Sequence, residues 1–336
     1  MSTAPRVAIT PGCPCGVGPE VVARALANPT LRAKAAWLVA GAAGPIGDAF
    51  QRHAPGVQLE PGTACAARGS ITVWDSAPAR ARFVPGLPTA TADVAAAAAL
   101  RRVLQAAQRG AVDAVATGPV RKQSLLRLAG GHFPGHTEAF HHALGTTPVP
   151  VMLFVAPGMR LALHTIHLPL ARVPGQVTRQ KILTTLAVLC AGLRGDLGVT
   201  GRVDVLGLNP HAGEGGLLGT QEQRVLGPAL AAARAAGLAV AGPFPADGYF
   251  ARYAAMQDPP AAVLALYHDQ GLGPFKLWEA GRGCQMTLGL AVPRTSCDHG
   301  TAYDIAGHGK ADDRSMGAAV RLAVAVARRR INAARV

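Results

Sequence analysis

Short apolar, β-branched runs alternate along the chain with longer alanine-rich stretches, and this alternation predicts strands and helices in turn. Val7–Thr10, Trp37–Ala40, Ile71–Trp74, Val112–Ala116, Val203–Leu208 and Ala262–Tyr267 read as strands. Pro19–Ala27, Ala92–Arg109, Thr178–Leu193, Thr220–Ala236 and Arg314–Ala333 read as helices. Pro19 suits a first helical turn, where a missing N–H costs nothing, and Thr178 suits an N-cap. Val149–Val155 and Arg160–Ile166 predict a neighbouring strand pair across Pro157–Gly158. Strands and helices in alternation predict an α/β sheet with helices on both faces. At 336 residues the chain has room for about two domains or one large α/β unit, and no linker, low-complexity segment or tandem repeat divides it.

Composition narrows the function classes. With 49% hydrophobic and 15% charged residues, global disorder is excluded. No apolar run reaches the length of a membrane span. MSTAPRVAITPG lacks a basic start followed by an apolar stretch, so it does not read as a secretory signal. Cysteines 13, 15, 65, 190, 284 and 297 show no CxxC spacing, which predicts free thiols in a reducing cytoplasm. Cys13 and Cys15, two apart in a tight loop, make a poor disulfide pair.

The net charge of +14 is the unusual number. It is open to nucleic acid, a membrane surface, an anionic small substrate or a codon bias. Only five of the 33 basic residues are lysine, and the chain is crowded with Ala, Gly and Pro, as a GC-rich code produces. Aromatics make up 4%, and the one dense basic run, Arg328–Arg329–Arg330, falls on the last predicted helix. Clustered cations interleaved with stacking aromatics are therefore missing, and neither nucleic acid nor a membrane is an expected partner. A lysine is more informative than an arginine here, which singles out Lys276.

The polar residues gather at predicted strand ends, where ligands of open α/β sheets bind. TPGCPCGVGPE (10–20) is a glycine-rich strand-to-helix loop, neither GxGxxG nor a P-loop, and a plain tight turn explains it equally well. His167 in HTIHLPL, His211 in NPHAGEGG and His268 in the loop YHDQG each stand at or beyond a strand end. Any one of them reads as readily as a capping or core histidine. Together they suit a divalent ion with an open coordination position. His136 and Thr137, in Gly135–His136–Thr137–Glu138, begin a helix that suits an anion. Lys276, just past the His268 loop, and Arg294, ending MTLGLAVPR, add cations that bind phosphate or remain surface charges. His299, Gly300, Thr301 and Ala302 form a further loop that opens a predicted helix, where small residues allow close approach of a ligand.

Taken together, TPGCPCGVGPE, ATGPVRK, FPGHTE, HTIHLPL, GLNPHAGEGG, GPFPAD, YHDQGLGPFK and RTSCDHGTAYDIAGHGKAD resemble the 4-hydroxythreonine-4-phosphate dehydrogenase family of vitamin B6 (pyridoxal 5'-phosphate) biosynthesis, in that family's order over nearly the whole chain. GVGPE and HGTAYDIAG also resemble segments of isocitrate and isopropylmalate dehydrogenases. The resemblance implies one two-lobed α/β subunit over 1–336, not a Rossmann fold, with its active site in the cleft between lobes. It implies a cytoplasmic homodimer with that site at the subunit interface. It implies NAD, or NADP as the alternative, near His299–Gly300–Thr301–Ala302. It also implies a divalent metal on His167, His211 and His268, zinc first and Mg, Mn or Co as alternatives, with His167 chosen over His164. The family's substrate contacts fall on His136, Thr137, Lys276, Gln285 and Arg294, and Asp247 is a further contact and a candidate catalytic base beside a metal-bound hydroxide.

The implied activity is oxidation of 4-phosphohydroxy-L-threonine at C3, followed by loss of CO₂. Alternatives are a related dehydrogenase of four-carbon sugar-acid phosphates or aromatic cis-dihydrodiols, and a non-catalytic binder of phosphorylated ligands. The chain departs from the family's usual pattern in four places. Cys13 stands for an acidic residue, Cys15 for a small one, Gln285 for Asn, and Gly248 for the Thr beside Asp247. These departures bear on the substrate more than on the chemistry.

Overall fold

The structure is a computed structural model that describes residues 4–128, 133 and 135–335; Pro134 of the FPGHTE motif lies outside the described residues. The strands are β1 (Arg6–Thr10), β2 (Ala36–Gly41), β3 (Leu59–Pro61), β4 (Ile71–Asp75), β5 (Ala114–Thr117), β6 (Val151–Ala156), β7 (Met159–Leu163), β8 (Val203–Leu206), β9 (Val240–Phe244), β10 (Ala262–Ala265), β11 (Cys284–Leu288) and β12 (Arg294–Cys297). The chain divides into two compact units: Met1–Thr146 with Gly281–Met286 and Leu290–Val336, and Thr147–Ala280 with Thr287–Gly289.

In the first unit the strand order runs β3-β4-β2-β1-β5-β12, and each of these neighbours pairs in parallel. β4 lies between β3 and β2, which departs from the 3-2-1 order of a dinucleotide-binding half. The chain leaves β1 toward β2 on one side and returns as β5 on the other. The reversal places the carboxyl ends of β1 and β5 at the position where such sheets hold ligands.

Helix Ala90–Gln108 covers this sheet because its small residues recur at helical spacing. Thr89 caps it by accepting from the Ala92 amide at 3.1 Å, and Ala92, Ala96, Ala99, Leu100, Val103 and Ala107 are buried. Burying Leu100 alone contributes about 1.5–3 kcal/mol. The last helix, Arg314–Ala333, buries Met316, Val320, Ala323, Val324 and Ala327 in the core on Val7, Ile9 and Trp37.

In the second unit the order is β6-β7-β10-β8-β9. β6 and β7 pair antiparallel across the Pro157–Gly158 turn, as their sequence predicts, and the remaining pairs are parallel. Its core joins Phe154, Leu161, Val263, Leu272, Phe275, Tyr249 and Tyr253. Thr178 caps helix Arg179–Gly192 through the Lys181 amide. The stretch expected as one helix over 220–236 begins instead as a wide π-type turn, Glu222–Leu226, and becomes α-helical at Gly227–Ala235. Pro228 falls in the first turn of that α-helical part, where its missing N–H is not needed.

Helices Ala43–His53 and Ala246–Tyr253 and strand β9 are not apparent in the pattern. Glycine and proline at Gly44, Pro45, Gly47, Gly242, Pro243 and Pro245 break up their periodicity. All six cysteines are free. Among the described residues no helix is long and apolar enough to cross a membrane.

Candidate active site

A buried cation organises the first unit. Arg294 opens β12, whereas the pattern placed it at a strand's end; the strand MTL stops at Leu288 and Gly289–Pro293 turns the chain first. Its residue is 3% exposed, and burial holds the guanidinium down to about 10, so it stays charged at neutral pH. Nε and Nη2 donate to Thr117 Oγ1 at 3.1 and 2.8 Å. Nη1 donates to Gln285 Oε1 at 2.9 Å and to Thr137 Oγ1 at 3.5 Å, and the guanidinium carbon lies 5.4 Å from the Phe140 ring centre.

Thr137 sits in the first turn of helix His136–Leu144, whose N-cap, Gly135, gives no side-chain cap. The first turn of that helix thus lies beside a cation, an arrangement that attracts anions. His136 Nε2 is buried and has no partner among the described residues. Burial, and then the charge of Arg294, push its imidazole well below the usual histidine range, so it is neutral. An imidazole N–H with no protein acceptor, next to a buried cation, is ready to donate to a phosphate oxygen.

The structure thus brings together four sequence-expected residues, His136, Thr137, Gln285 and Arg294. It adds two that the sequence reading missed. Thr117 ends β5 and appears in the sequence only as part of the ATGPVRK motif, and Phe140 lies one turn beyond Thr137.

The glycine-rich loop has a different role from the one its composition suggested. A Cβ on Gly12 would stand 2.0 Å from the Pro119 carbonyl oxygen, one on Gly18 1.7 Å from that of Pro11, and one on Gly16 2.8 Å from that of Thr301. The glycines let three strand-end loops touch one another. Val17 N donates to Thr301 O at 3.0 Å, and the Tyr303 hydroxyl donates to Cys13 Sγ at 3.2 Å.

The segment expected to open a helix after His299–Gly300–Thr301–Ala302 forms turns instead, with Ala302 at φ +42° and positive φ again at Gly307 and Gly309; the helix waits until Arg314. Residues favouring left-handed backbone at this spacing cannot continue a right-handed helix. His299 Nε2 is buried without a partner, and Gly300 faces open space, two features that fit the approach of a polar ligand such as a nicotinamide cofactor.

The second unit carries His167, His211, His268, Lys276 and Asp247. The YHDQG segment is not a loop: His268 begins helix His268–Glu279, and Lys276 is exposed on that helix about 12 Å along its axis. The helix continues through Pro274, and Gly271 lets it pack closely, since a Cβ there would meet Ala265 Cβ at 2.8 Å. Gln270 fastens the first turn, donating to Gly207 O at 2.6 Å and accepting from the Leu266 amide at 2.7 Å.

The rings of His167 and His268 lie 5.9 Å apart, and His268 Nδ1 meets Asp269 Oδ1 at 2.7 Å, leaving Nε2 turned to other partners. His164, by contrast, uses both nitrogens internally, Nδ1 with Thr185 Oγ1 at 3.0 Å and Nε2 with Gln176 O at 3.2 Å. Burial lowers its pKa, and it is not available as a ligand.

His211 stands on a left-handed turn. His211, Ala212, Gly213, Glu214 and Gly215 all have positive φ. Three of these carry side chains, and each such residue costs of order 1–3 kcal/mol unless its surroundings hold it. Glu222 does so, accepting from the Leu208 and Asn209 amides at 2.7 and 2.8 Å and from Asn209 Nδ2 at 2.8 Å. Glu222 had been read only as part of a helix.

Three imidazoles, one of them paired with a carboxylate, fit a zinc-type ion in kind. Among the described residues, however, no group of three His, Cys, Asp or Glu side chains is arranged to hold one. Asp247, in the first turn of helix Ala246–Tyr253, lines a cavity of about 850 Å³ with Tyr267, Asp269, Gln270 and Trp278.

Known proteins share this arrangement of chain and sequence. A 4-hydroxythreonine-4-phosphate dehydrogenase of Desulfosudis oleivorans is 40% identical over 330 residues, covering 96% of each chain. A putative D-threonate 4-phosphate dehydrogenase of Symbiobacterium thermophilum is 39% identical over 328 residues, again covering 96% of each. The crystal structure of 4-hydroxythreonine-4-phosphate dehydrogenase from Klebsiella pneumoniae superposes with a TM-score of 0.80 at 35% identity, covering 96% of this chain and all of the other. The profile described as "Pyridoxal phosphate biosynthetic protein PdxA" matches residues 29–323, and the chain belongs to that family.

Proposed function

We propose that the protein is an NAD-dependent 4-hydroxythreonine-4-phosphate dehydrogenase. It would oxidise 4-phosphohydroxy-L-threonine to 2-amino-3-oxo-4-phosphooxybutanoate, which decarboxylates to 3-amino-2-oxopropyl phosphate in vitamin B6 (pyridoxal 5'-phosphate) biosynthesis. The observation that carries this reading is the buried Arg294 cation, set beside the first turn of helix His136–Leu144 and the neutral His136 imidazole. A dianionic phosphate satisfies all three.

In this reading Arg294, Thr137 and His136 anchor the phosphate, with Lys276 as a second cation and Gln285 as an amide contact. His167, His211 and His268 would hold a divalent cation, zinc first and Mg, Mn or Co as alternatives. What that ion supplies is Lewis-acid polarisation of the C3 hydroxyl. NAD, or NADP in its place, is assigned to His299, Gly300, Thr301 and Ala302 and supplies the hydride acceptor. Anchoring the phosphate fixes C3 relative to that acceptor, which lowers the entropic part of the barrier. Asp247 is the candidate general base for the C3 hydroxyl proton. Because no three metal donors gather among the described residues of one chain, we assign the working form to a homodimer with its site at the subunit interface, in the cytoplasm.

A second reading has its own support. Identity to a putative D-threonate 4-phosphate dehydrogenase is 39%, against 40% for the hydroxythreonine enzyme, and Gln285 reaches one methylene further than the usual Asn. The test is NAD reduction with 4-phosphohydroxy-L-threonine, D-threonate 4-phosphate, D-erythronate 4-phosphate and an aromatic cis-dihydrodiol, with and without chelator. Turnover on the first alone, lost on chelation, is expected. Turnover on another substrate alone selects the second reading, and phosphate-ligand binding without turnover under any metal leaves a binding protein.

A further inference from the structure

We propose that Thr117 is a positioning residue for phosphate recognition, its one hydroxyl oxygen fixing the Arg294 guanidinium in the orientation that meets the substrate. The inference rests on Arg294 being the phosphate anchor.

Arg294 lies opposite Val115 in the β12–β5 ladder, and Thr117 is two residues, about 6.6 Å, further toward the carboxyl end of β5. The arginine side chain therefore runs along the sheet and carries its charge to the end where ligands bind. There it meets Thr117 Oγ1, which accepts from both Nε and Nη2, at 3.1 and 2.8 Å. Two donors on one acceptor hold the Nε edge of a planar group, so rotation about the last side-chain bonds is arrested.

The hydroxyl is itself constrained. It is fully buried, it donates to Thr295 O at 3.3 Å, and the Thr117 carbonyl accepts from Ser296 Oγ at 3.2 Å. A β-branched side chain with restricted χ1 adds to the rigidity. The Nη1 side donates to Gln285 Oε1 at 2.9 Å and to Thr137 Oγ1 at 3.5 Å. Thr117 thus fixes one edge of the fork, and the substrate-facing residues share the other.

Thr117→Val keeps the shape and removes the oxygen, and Thr117→Ser keeps the oxygen. Steady-state kinetics of both, with Arg294→Lys as reference and calorimetric titration with inorganic phosphate, make the test. Thr117→Val is expected to raise KM for the phosphorylated substrate about tenfold or more and to weaken phosphate binding in parallel, with kcat changed less. Thr117→Ser should restore both. Thr117→Val combined with Arg294→Lys should cost less than the sum of the two. If Thr117→Val does not fold, Thr117→Ala is read in the same way.

Unchanged KM and phosphate affinity in Thr117→Val, with Arg294→Lys impaired, overturn the proposal. Equal loss in Thr117→Val and Thr117→Ser also overturns it, because the hydroxyl is then not the active element. If Arg294→Lys is itself without effect, it is the reading of Arg294 as anchor that fails.

Discussion

The two units prepare for a ligand in opposite ways. In the first, a buried arginine is held by Thr117, Gln285 and Thr137 beside a buried neutral imidazole and open helix amides. In the second, His167 and His211 are exposed and His268 is half-buried, each on its own strand-end segment. In the proposed function the first is a preformed receptor, its charged group already desolvated by folding. The second holds chemistry in reserve: two rings 5.9 Å apart, and a third on a left-handed turn that Glu222 keeps in shape. Under the proposed function, a rigid anion site would select a substrate by its phosphate, while the histidines would need an ion or a second chain to complete their donor set.

The largest effect that would break this contrast is expected at His211. His211→Ala should abolish metal content and lower turnover by about a thousandfold or more, while phosphate binding stays as in the parent; metal analysis together with initial rates checks both. A variant with stoichiometric zinc and normal turnover would remove His211 from the site.

Lys276 sharpens the contrast, since it belongs to the second unit by fold and is proposed as a second cation for the phosphate. Lys276→Ala should raise KM about 10- to 100-fold, the range for one charge-assisted hydrogen bond, with a smaller fall in kcat. An unchanged kcat/KM would confine phosphate recognition to the first unit.

Stability should depend on pH through the two histidines that burial holds neutral. His136 and His164 both have folded pKa values below the usual 6.5. As the pH falls through about 6.5 the unfolded chain takes up protons that the folded chain refuses. Folding free energy should therefore fall by up to about 1.4 kcal/mol per pH unit for each group. Urea midpoints at pH 7.5 and 5.5 measure it, and His136→Asn with His164→Asn should flatten the difference; the same slope in that variant would contradict the assignment.

The smallest effect concerns a departure from the family pattern. Gly248 lies on helix Ala246–Tyr253 with nothing within 4 Å of where a Cβ would be. Gly248→Ala should stabilise the protein by about 0.5–1 kcal/mol without changing KM, as thermal unfolding and kinetics will show. A rise in KM would make the open space beside Asp247 part of substrate selection.

Much of the fold is legible in the sequence wherever apolar periodicity is uninterrupted. Helix Arg314–Ala333 is read to the residue, and the β6–β7 pair follows from its Pro157–Gly158 turn. The elements that escape are those where glycine and proline serve close packing rather than turns. Gly271 reads as part of a loop but stands in the helix carrying His268 and Lys276, because it lies against Ala265. Of the residues expected at the site, His136, Thr137, Gln285 and Arg294 stand together in the first unit, although Arg294 opens its strand and Lys276 lies within a helix of the second. Thr117 escapes because a threonine ending a strand is ordinary until a guanidinium is seen on it. Glu222 escapes because its partners are backbone amides, which leave no trace in residue type.

The central claim is that the anion receptor is complete before the metal site is. Calorimetric titration of chelator-treated, NAD-free protein with 4-phosphohydroxy-L-threonine tests it most directly, with Arg294→Ala and His268→Ala measured alongside. The account predicts binding without metal, kept in His268→Ala and weakened about a hundredfold or more in Arg294→Ala. Binding that vanishes on chelation, or that survives Arg294→Ala unchanged, would contradict it.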